Sequence, residues 1–257
     1  MPTDAGEYRQ GREAYKRGMV AFSGEKVYHK GMGAMLGALD SELWRIIGTT
    51  LRVTLPSTVI SAVLGTILGL LLERARFPGK RLIVRVNRTL MGVPPVVIGL
   101  VGYLLFMRKG PFGFLDILFS VPAMIIAQVM IITPIICGMV YSVAERNAGR
   151  IRAFGVTMGA GRLQTQVLLI RELSAEIYFA GITGFGRAIS EVGAVMIVGG
   201  NIQNKTRTMT TAITLLRNKG NYAEAVTLGV ILLVIAFVIQ LIGDSLRQKE
   251  QRTDENH

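Results

Sequence analysis

The chain has 257 residues, half of them hydrophobic and 18% charged, with a formal net charge of +12. That is too apolar for an ordinary soluble domain and fits a protein that crosses a membrane several times. A soluble protein this basic would suggest nucleic acid, but no aromatic-rich basic patch accompanies the charge, and basic loops facing anionic lipid account for it.

A helix needs roughly 20 mostly apolar residues to cross about 30 Å of hydrocarbon. Five runs qualify, near 54–72, 90–107, 121–143, 177–200 and 223–243. The fold class expected is therefore all-α integral membrane, with a transmembrane domain over 47–245. Ahead of it, residues 1–31 read as a disordered extension or as a product of an upstream start codon. They resemble neither a signal peptide nor a transit peptide. Residues 32–46 read as an interfacial amphipathic helix leading into the first span.

The first span is expected after Arg52, with Pro56 near its start, where proline is tolerated. Gly65 and Gly69 form a GxxxG. This is either a helix-packing face or the ordinary abundance of glycine in membrane helices. The connection 73–88 holds six Lys/Arg: Arg74, Arg76, Lys80, Arg81, Arg85 and Arg88. The second span contains "GVPPVVIGL", residues 92–100. Pro94 and Pro95 together remove two amide donors, so a kink or break is expected, tolerated at membrane depth only against protein or a watery cavity. That makes the second span a candidate lining of a pathway. The third span carries Gln128, expected to face inward, and a second kink candidate at Thr133–Pro134.

Residues 144–173 read as a cytoplasmic loop folded into a helix, a glycine turn and a second helix. "MGAG", Met158 to Gly161, supplies the stop signal. A compact knob of this kind can dock in a groove on another protein, and a structured loop this long is usually functional. The fourth span carries Arg187 and Glu191, four apart and hence on one helical face. They can pair with each other, or their face can line a pathway or gate together with Gly193. Gly184, Gly186 and Gly193 would let a neighbouring helix approach. Beyond it, Asn201, Lys205, Thr206, Arg207, Thr208, Thr210 and Thr211 stand at the expected outer mouth, either docking a partner or touching an anion directly. The fifth span leads to a tail, 246–257.

Lys and Arg are concentrated in 73–88, 144–173 and the tail, and sparser in the two opposite loops. The positive-inside rule puts the first set, and the C-terminus, in the cytoplasm. The N-terminus would then be outside, although residues 1–45 themselves carry seven Lys/Arg. Cys137 is the only cysteine, which excludes an intrachain disulfide. No nucleophile–base pair, GxSxG elbow or Walker A loop is present, so no enzyme activity is expected. If ATP drives this protein, the ATP must bind another chain.

The stretch "AFGVTMGAGRLQTQVLLIREL", residues 153–173, resembles the coupling segment of type-I ABC importer permeases. In that family the pattern is Glu-Ala-Ala, three residues, Gly, nine residues, Ile-x-Leu-Pro. Gly159 stands at the family glycine, and Met158 to Gly161 stand where Leu-Gly-Ala-Ser is common. Ala153, Phe154 and Gly155 fill the first triplet, so its glutamate is absent. The final motif falls on Leu169 to Glu172, without its proline. "RFPGKR" at 76–81 and "GVPPVVIGL" look like the same family. Arg187, Ala188, Glu191, Gly193, Ala194, Gly200, Asn201 and Ile202 resemble a segment of its sulfate, molybdate and tungstate permeases. Ser190-Glu191-Val192-Gly193, where Gly-Glu-Phe-Gly is usual, looks most like the tungstate branch.

The resemblance spans about residues 35–245. It implies the ABC type-1 permease fold and a multi-pass position in a bacterial or archaeal inner membrane. It also implies a homodimer seated on two ATPase subunits, which carry the ATP and Mg, with an oxyanion-binding protein outside. No cofactor is expected in this chain, and no nucleic-acid partner. The residues it assigns to ATPase coupling are Ala153, Phe154, Gly155, Met158, Gly159, Ala160, Gly161 and Arg162. Competing readings are a permease of the same family importing molybdate or sulfate, a secondary transporter, for which Glu191 alone would have to relay protons, and a membrane enzyme, for which no His/Asp/Glu cluster converges.

Overall fold

The computed structural model describes residues 41–254, with side chains resolved for most of 42–245. The expected extension 1–31 and most of the expected interfacial helix 32–46 lie outside the described residues. Among the described residues the chain forms nine α-helices, one short 3-10 turn and no strand. Hydrocarbon offers no hydrogen-bond partner, so a chain entering it must satisfy its own backbone, and helices do so within one segment.

Helix α1 is Ser41–Arg74, α2 Lys80–Met91, α3 Pro95–Phe106, α4 Val121–Thr157 and α5 Arg162–Glu172. Helix α6 is Ser174–Ile189, α7 Gly193–Gly199, α8 Met209–Asn218 and α9 Tyr222–Asp254. α1, α4 and α9 are each long and apolar enough to cross a bilayer. The pairs α2–α3 and α6–α7 reach that standard only together, and they bend by 102° and 58°. By length and composition the described residues therefore hold three continuous candidate spans, or five when each broken pair is one span. α1 begins by Ser41 rather than after Arg52, so Pro56 lies inside it. Helix need not stop where hydrocarbon does.

α1 packs along α4, and small residues bring them together. Ser57, Ser61, Gly65 and Gly69 recur every fourth residue on α1. A Cβ at Gly65 would stand 2.8 Å from Ile136, and one at Gly69 2.9 Å from the Cys137 carbonyl oxygen. The GxxxG is thus a packing face. Lipid tails are as apolar as leucine, so close van der Waals fit, not water exclusion, holds such helices together. One core cluster joins Val53 of α1, Met124, Ala127 and Ile131 of α4, and Ala194, Val195 and Val198 of α7.

The break at 92–94 follows from its prolines. Pro95 opens α3 at a position that needs no N–H. α2 runs nearly perpendicular to α3 and buries no residue. Its Lys80, Arg81, Arg85 and Arg88 share one face. Its Leu82, Ile83, Val86 and Leu90 lie exposed on the opposite one. A helix so divided lies along a membrane surface. The expected second span of 90–107 falls mainly on α3, whose 12 residues rise about 18 Å, short of the roughly 30 Å of hydrocarbon.

The expected loop 144–173 is mostly helix. α4 continues unbroken for 37 residues, past the apolar run and on to Thr157. The chain then turns at 158–161 and returns as α5, which joins α6 after Leu173. The glycine turn stands as expected, but the first helix of the knob is the end of a span.

Candidate functional site

Two places concentrate unusual local chemistry: the junction of the two broken spans, and the turn that ends α4.

α3 and α7 lie side by side. A Cβ at Gly99 would stand 2.6 Å from the Ala194 Cα, one at Gly102 3.2 Å from Val198, and one at Gly193 2.8 Å from Val96. These glycines admit an approach that no larger residue allows. The contact sets the break at Pro94–Pro95 beside the break at Ser190–Val192. Pro94 is exposed and Pro95 half-buried. Of the glycines expected to admit a neighbour, Gly184 meets Ile132 and Ile136 of α4 below 3.0 Å, while Gly186 has only ordinary contact with Gln240.

Glu191 was expected on a continuous helix with Arg187. Instead it stands in the break between α6 and α7. The break frees backbone groups that an unbroken helix would pair, and three side chains take them up. Glu191 Oε1 accepts from the Ala194 N–H at 3.1 Å. Gln128 Nε2 donates to the Ala188 carbonyl at 3.0 Å. Thr210 Oγ1 donates to the Glu191 carbonyl at 3.0 Å. Gln128, buried as expected, is held in turn by Ser57 Oγ, which donates to its Oε1 at 2.6 Å. Irregular backbone at membrane depth persists only when re-satisfied in this way.

The pair with Arg187 still forms. Arg187 Nη2 stands 3.5 Å from Glu191 Oε2, with the Glu191 side chain 3% exposed and the Arg187 side chain 38%. Phe179, Thr183, Arg187 and Ser190 follow one another on a face of α6 that its own chain leaves partly open. The adjoining face, with Ala180, Gly184 and Ala188, is buried.

The loop 200–208 is more closed than its composition suggests. Asn201 and Asn204 turn it with φ of 49° and 59°. Thr206 is 1% exposed; its Oγ1 accepts from the Ile202 N–H and donates to the Gly199 carbonyl. Thr208, Thr210 and Thr211 are buried as well, in hydrogen bonds that cap α8 or reach Glu191. These hydroxyls close the loop on itself, which takes them away from the direct anion contact that was one of their expected roles. Arg207 pairs with Glu42 at 3.2 Å, tying the loop to the start of α1. Lys205 remains exposed and Asn201 half-buried.

At the other end, Gly159 takes φ +71°, and nothing lies within 4 Å of where its Cβ would be. The Ala160 N–H donates to the Gly155 carbonyl, and the Gly161 N–H to Gln164 Oε1. A Cβ at Gly155 would stand 3.2 Å from Thr165, so the two legs of the turn are close. Ala144, Ala148 and Ile151 pack on Leu169 and Leu173 behind it. In front, Phe154, Val156, Met158 and Leu163 are all more than half exposed. Ala153 is exposed beside them, and the Arg162 side chain falls outside the described residues. A rigid turn with four large apolar side chains facing outward is shaped to enter a groove. Arg152, one residue before Ala153, forms a two-pronged ion pair with Glu73 at the end of α1, at 2.9 Å and 2.5 Å. The pattern of charges along α1 and α4 gave no hint of that pair, because its partners lie 79 residues apart.

Comparison with known proteins bears on both places. Residues 61–251 match the family described as binding-protein-dependent transport system inner membrane component. The chain is 42% identical to the tungstate uptake system permease protein TupB of Peptoclostridium acidaminophilum, over 84% of this chain and 94% of that protein. It is 37% identical to a probable anion ABC transporter permease protein of Haloferax volcanii, over 67% of this chain and 77% of that one. It is 33% identical to TupB of Campylobacter jejuni, over 67% and 72%. With the matched region running from mid-α1 through α9, and so taking in both the junction of the broken spans and the turn after α4, the chain belongs to the binding-protein-dependent transport system inner membrane components, the multi-pass permeases of ABC transporters.

Proposed function

We propose that this permease carries a tetrahedral oxyanion, tungstate in particular, into the cell. The observation that carries the reading is the 42% identity to a tungstate uptake permease over nearly that protein's whole length. A second TupB and an anion permease among its relatives support it.

In this reading two copies of the chain sit on two ATPase subunits, which hold the ATP and Mg, and an oxyanion-binding protein delivers cargo from outside. This chain then holds no cofactor of its own. Its knob, with Ala153, Phe154, Gly155, Met158, Gly159, Ala160, Gly161 and Arg162, enters a groove of the ATPase. α4 is one continuous helix from the knob to the membrane core, with Pro134 inside it, so a push at its end by Met158 can reach Gln128 and the broken span it holds. Alternating access needs such a two-state element biased by a ligand on another chain. The open face of α6 with Arg187 lines the pathway, and the breaks at Pro94–Pro95 and at Glu191–Gly193 form its gate. Arg187 offers positive potential to a passing anion, and its half-exposed position keeps the attraction weak enough for release. Asn201, Lys205, Thr206 and Arg207 belong to the loop that meets the binding protein. Lys205 is its exposed cation, while Thr206 shapes the loop from within. The basic connections and the C-terminus face the cytoplasm.

Tungstate and molybdate uptake, measured in cells with and without this chain, tests the cargo. Loss of tungstate uptake on deletion is expected. Equal tungstate uptake in both would sink the reading.

A further inference from the structure

A cleft of about 640 Å³ opens between α2, the middle of α4 and the start of α6. Its walls are mostly apolar, with Met91, Met139 and Phe179 among them. Two arginines break that pattern: Arg88 from α2 and Arg146 from α4. Neither forms an ion pair or a hydrogen bond among the described residues, unlike Arg152, Arg187 and Arg207. Glu176 lines the same cleft and pairs with neither. Asn87 and Ser142 add an amide and a hydroxyl to its wall. The amide is held in place by its bond to the Pro134 carbonyl at 3.1 Å.

The position is specific. The cleft runs along α4 from Gly138 to Arg146, the stretch where that helix passes from apolar to charged sequence. It reaches Phe179, at the foot of the open α6 face that carries Arg187 higher up. The positive-inside rule asks for cations near this surface; here two of them, both exposed and neither in an ion pair among the described residues, line one cleft, with Arg88 also within electrostatic reach of Tyr141. Guanidinium groups present planar forks that match tetrahedral oxyanions.

We propose that this cleft is an anion station at the basic face of the membrane, where Arg88 and Arg146 hold a tetrahedral oxyanion. The inference rests on the oxyanion reading above for its cargo. Two sources share the chemistry: the free oxyanion leaving the pathway, and the phosphate of an anionic lipid headgroup.

The test uses the intact permease–ATPase complex in nanodiscs of neutral phosphatidylcholine, with equilibrium binding of tungstate and of inorganic phosphate. Replacing both arginines, R88Q with R146Q, is expected to weaken binding at least about tenfold, the loss of two charge-assisted contacts. Arg85→Gln, on the same helix but outside the cleft, is expected to bind as the parent does. Adding phosphatidylglycerol to the nanodiscs separates the sources. Competition with tungstate that depends on both arginines marks the headgroup as an occupant, and unaltered tungstate binding marks the free ion. Copurification of the ATPase with each variant checks that it is folded. If the folded double variant binds both probes like the parent, the site is wrong, while tungstate uptake by the same complex leaves the cargo reading standing. If the complex moves no tungstate yet holds phosphate through these arginines, the cargo reading fails and the site survives.

Discussion

Glu191 Oε1 accepts a hydrogen bond from the backbone N–H of Ala194 at 3.1 Å, three residues further along its own chain. The carboxylate therefore closes the first turn of α7 as well as facing Arg187. Read from sequence, the charge in this apolar run called for a partner. The structure shows that it has two, and that one of them is the broken backbone itself.

The two roles separate by substitution. Glu191→Ala leaves the Ala194 donor buried without an acceptor, a loss of about 1–3 kcal/mol. Glu191→Gln keeps a carbonyl oxygen for that donor and gives up only the charge opposite Arg187. Thermal unfolding of the purified complex should fall clearly for the alanine variant and little for the glutamine. Equal losses would mean that the ion pair, not the cap, holds the break.

Gly99 tests the contact between the broken spans. Its Cβ would stand 2.6 Å from the Ala194 Cα, and backbone cannot yield as a side-chain tip can. Gly99→Ala should cost about 1–3 kcal/mol through overpacking. Gly186→Ala, with only one ordinary contact at 3.7 Å, is the matched control. The yield of folded permease after membrane extraction reads the difference, and similar yields would contradict the packing described.

Gly159 distinguishes fold from partner. Its left-handed φ makes Gly159→Ala cost about 1 kcal/mol. Nothing lies within 4 Å of the missing Cβ, so Gly159→Trp meets no neighbour at that atom and carries the same backbone strain as the alanine. The tryptophan variant should insert and dimerise yet lose uptake and its hold on the ATPase. Normal substrate-stimulated uptake by Gly159→Trp would remove the turn from the coupling role.

Glu73 and Arg152 join the end of α1 to the shaft of the knob. Glu73 is 11% exposed and Arg152 30%, so solvent weakens the pair only in part. A double-mutant cycle with Glu73→Ala and Arg152→Ala should give a coupling of about 1–3 kcal/mol in thermal stability. If the turn couples to the ATPase as proposed, ATP hydrolysis per transported anion should rise in each single variant, because α1 no longer moves with the knob. Additive single effects would show that the two groups do not interact.

Much of this molecule was legible in the residues. Pro94 and Pro95 announced a break, since two missing amide donors cannot be hidden in hydrocarbon. Gly159 announced a turn, because few other residues adopt that backbone. Gln128 announced an inward face. The length of α4 was not legible: Arg146, Arg150 and Arg152 look like a loop, yet a helix that has left the membrane carries charge freely. The buried threonines from 206 to 211 were misread for the converse reason. A hydroxyl suited to water serves equally to satisfy backbone where no water reaches.

What the sequence alone determined was the solvent, the approximate spans, the broken positions and the family, since each depends on local composition or on a motif. What only the tertiary structure decided was pairing. α3 lies on α7, Glu73 meets Arg152, and Gln128, Thr210 and Glu191 converge on one break. In water, the polar stripe of a helix tells which face turns inward. In lipid every face is apolar, so that signal fades. Which glycine meets which helix, and which carbonyl receives which side chain, then follows from close fit between surfaces far apart in the chain.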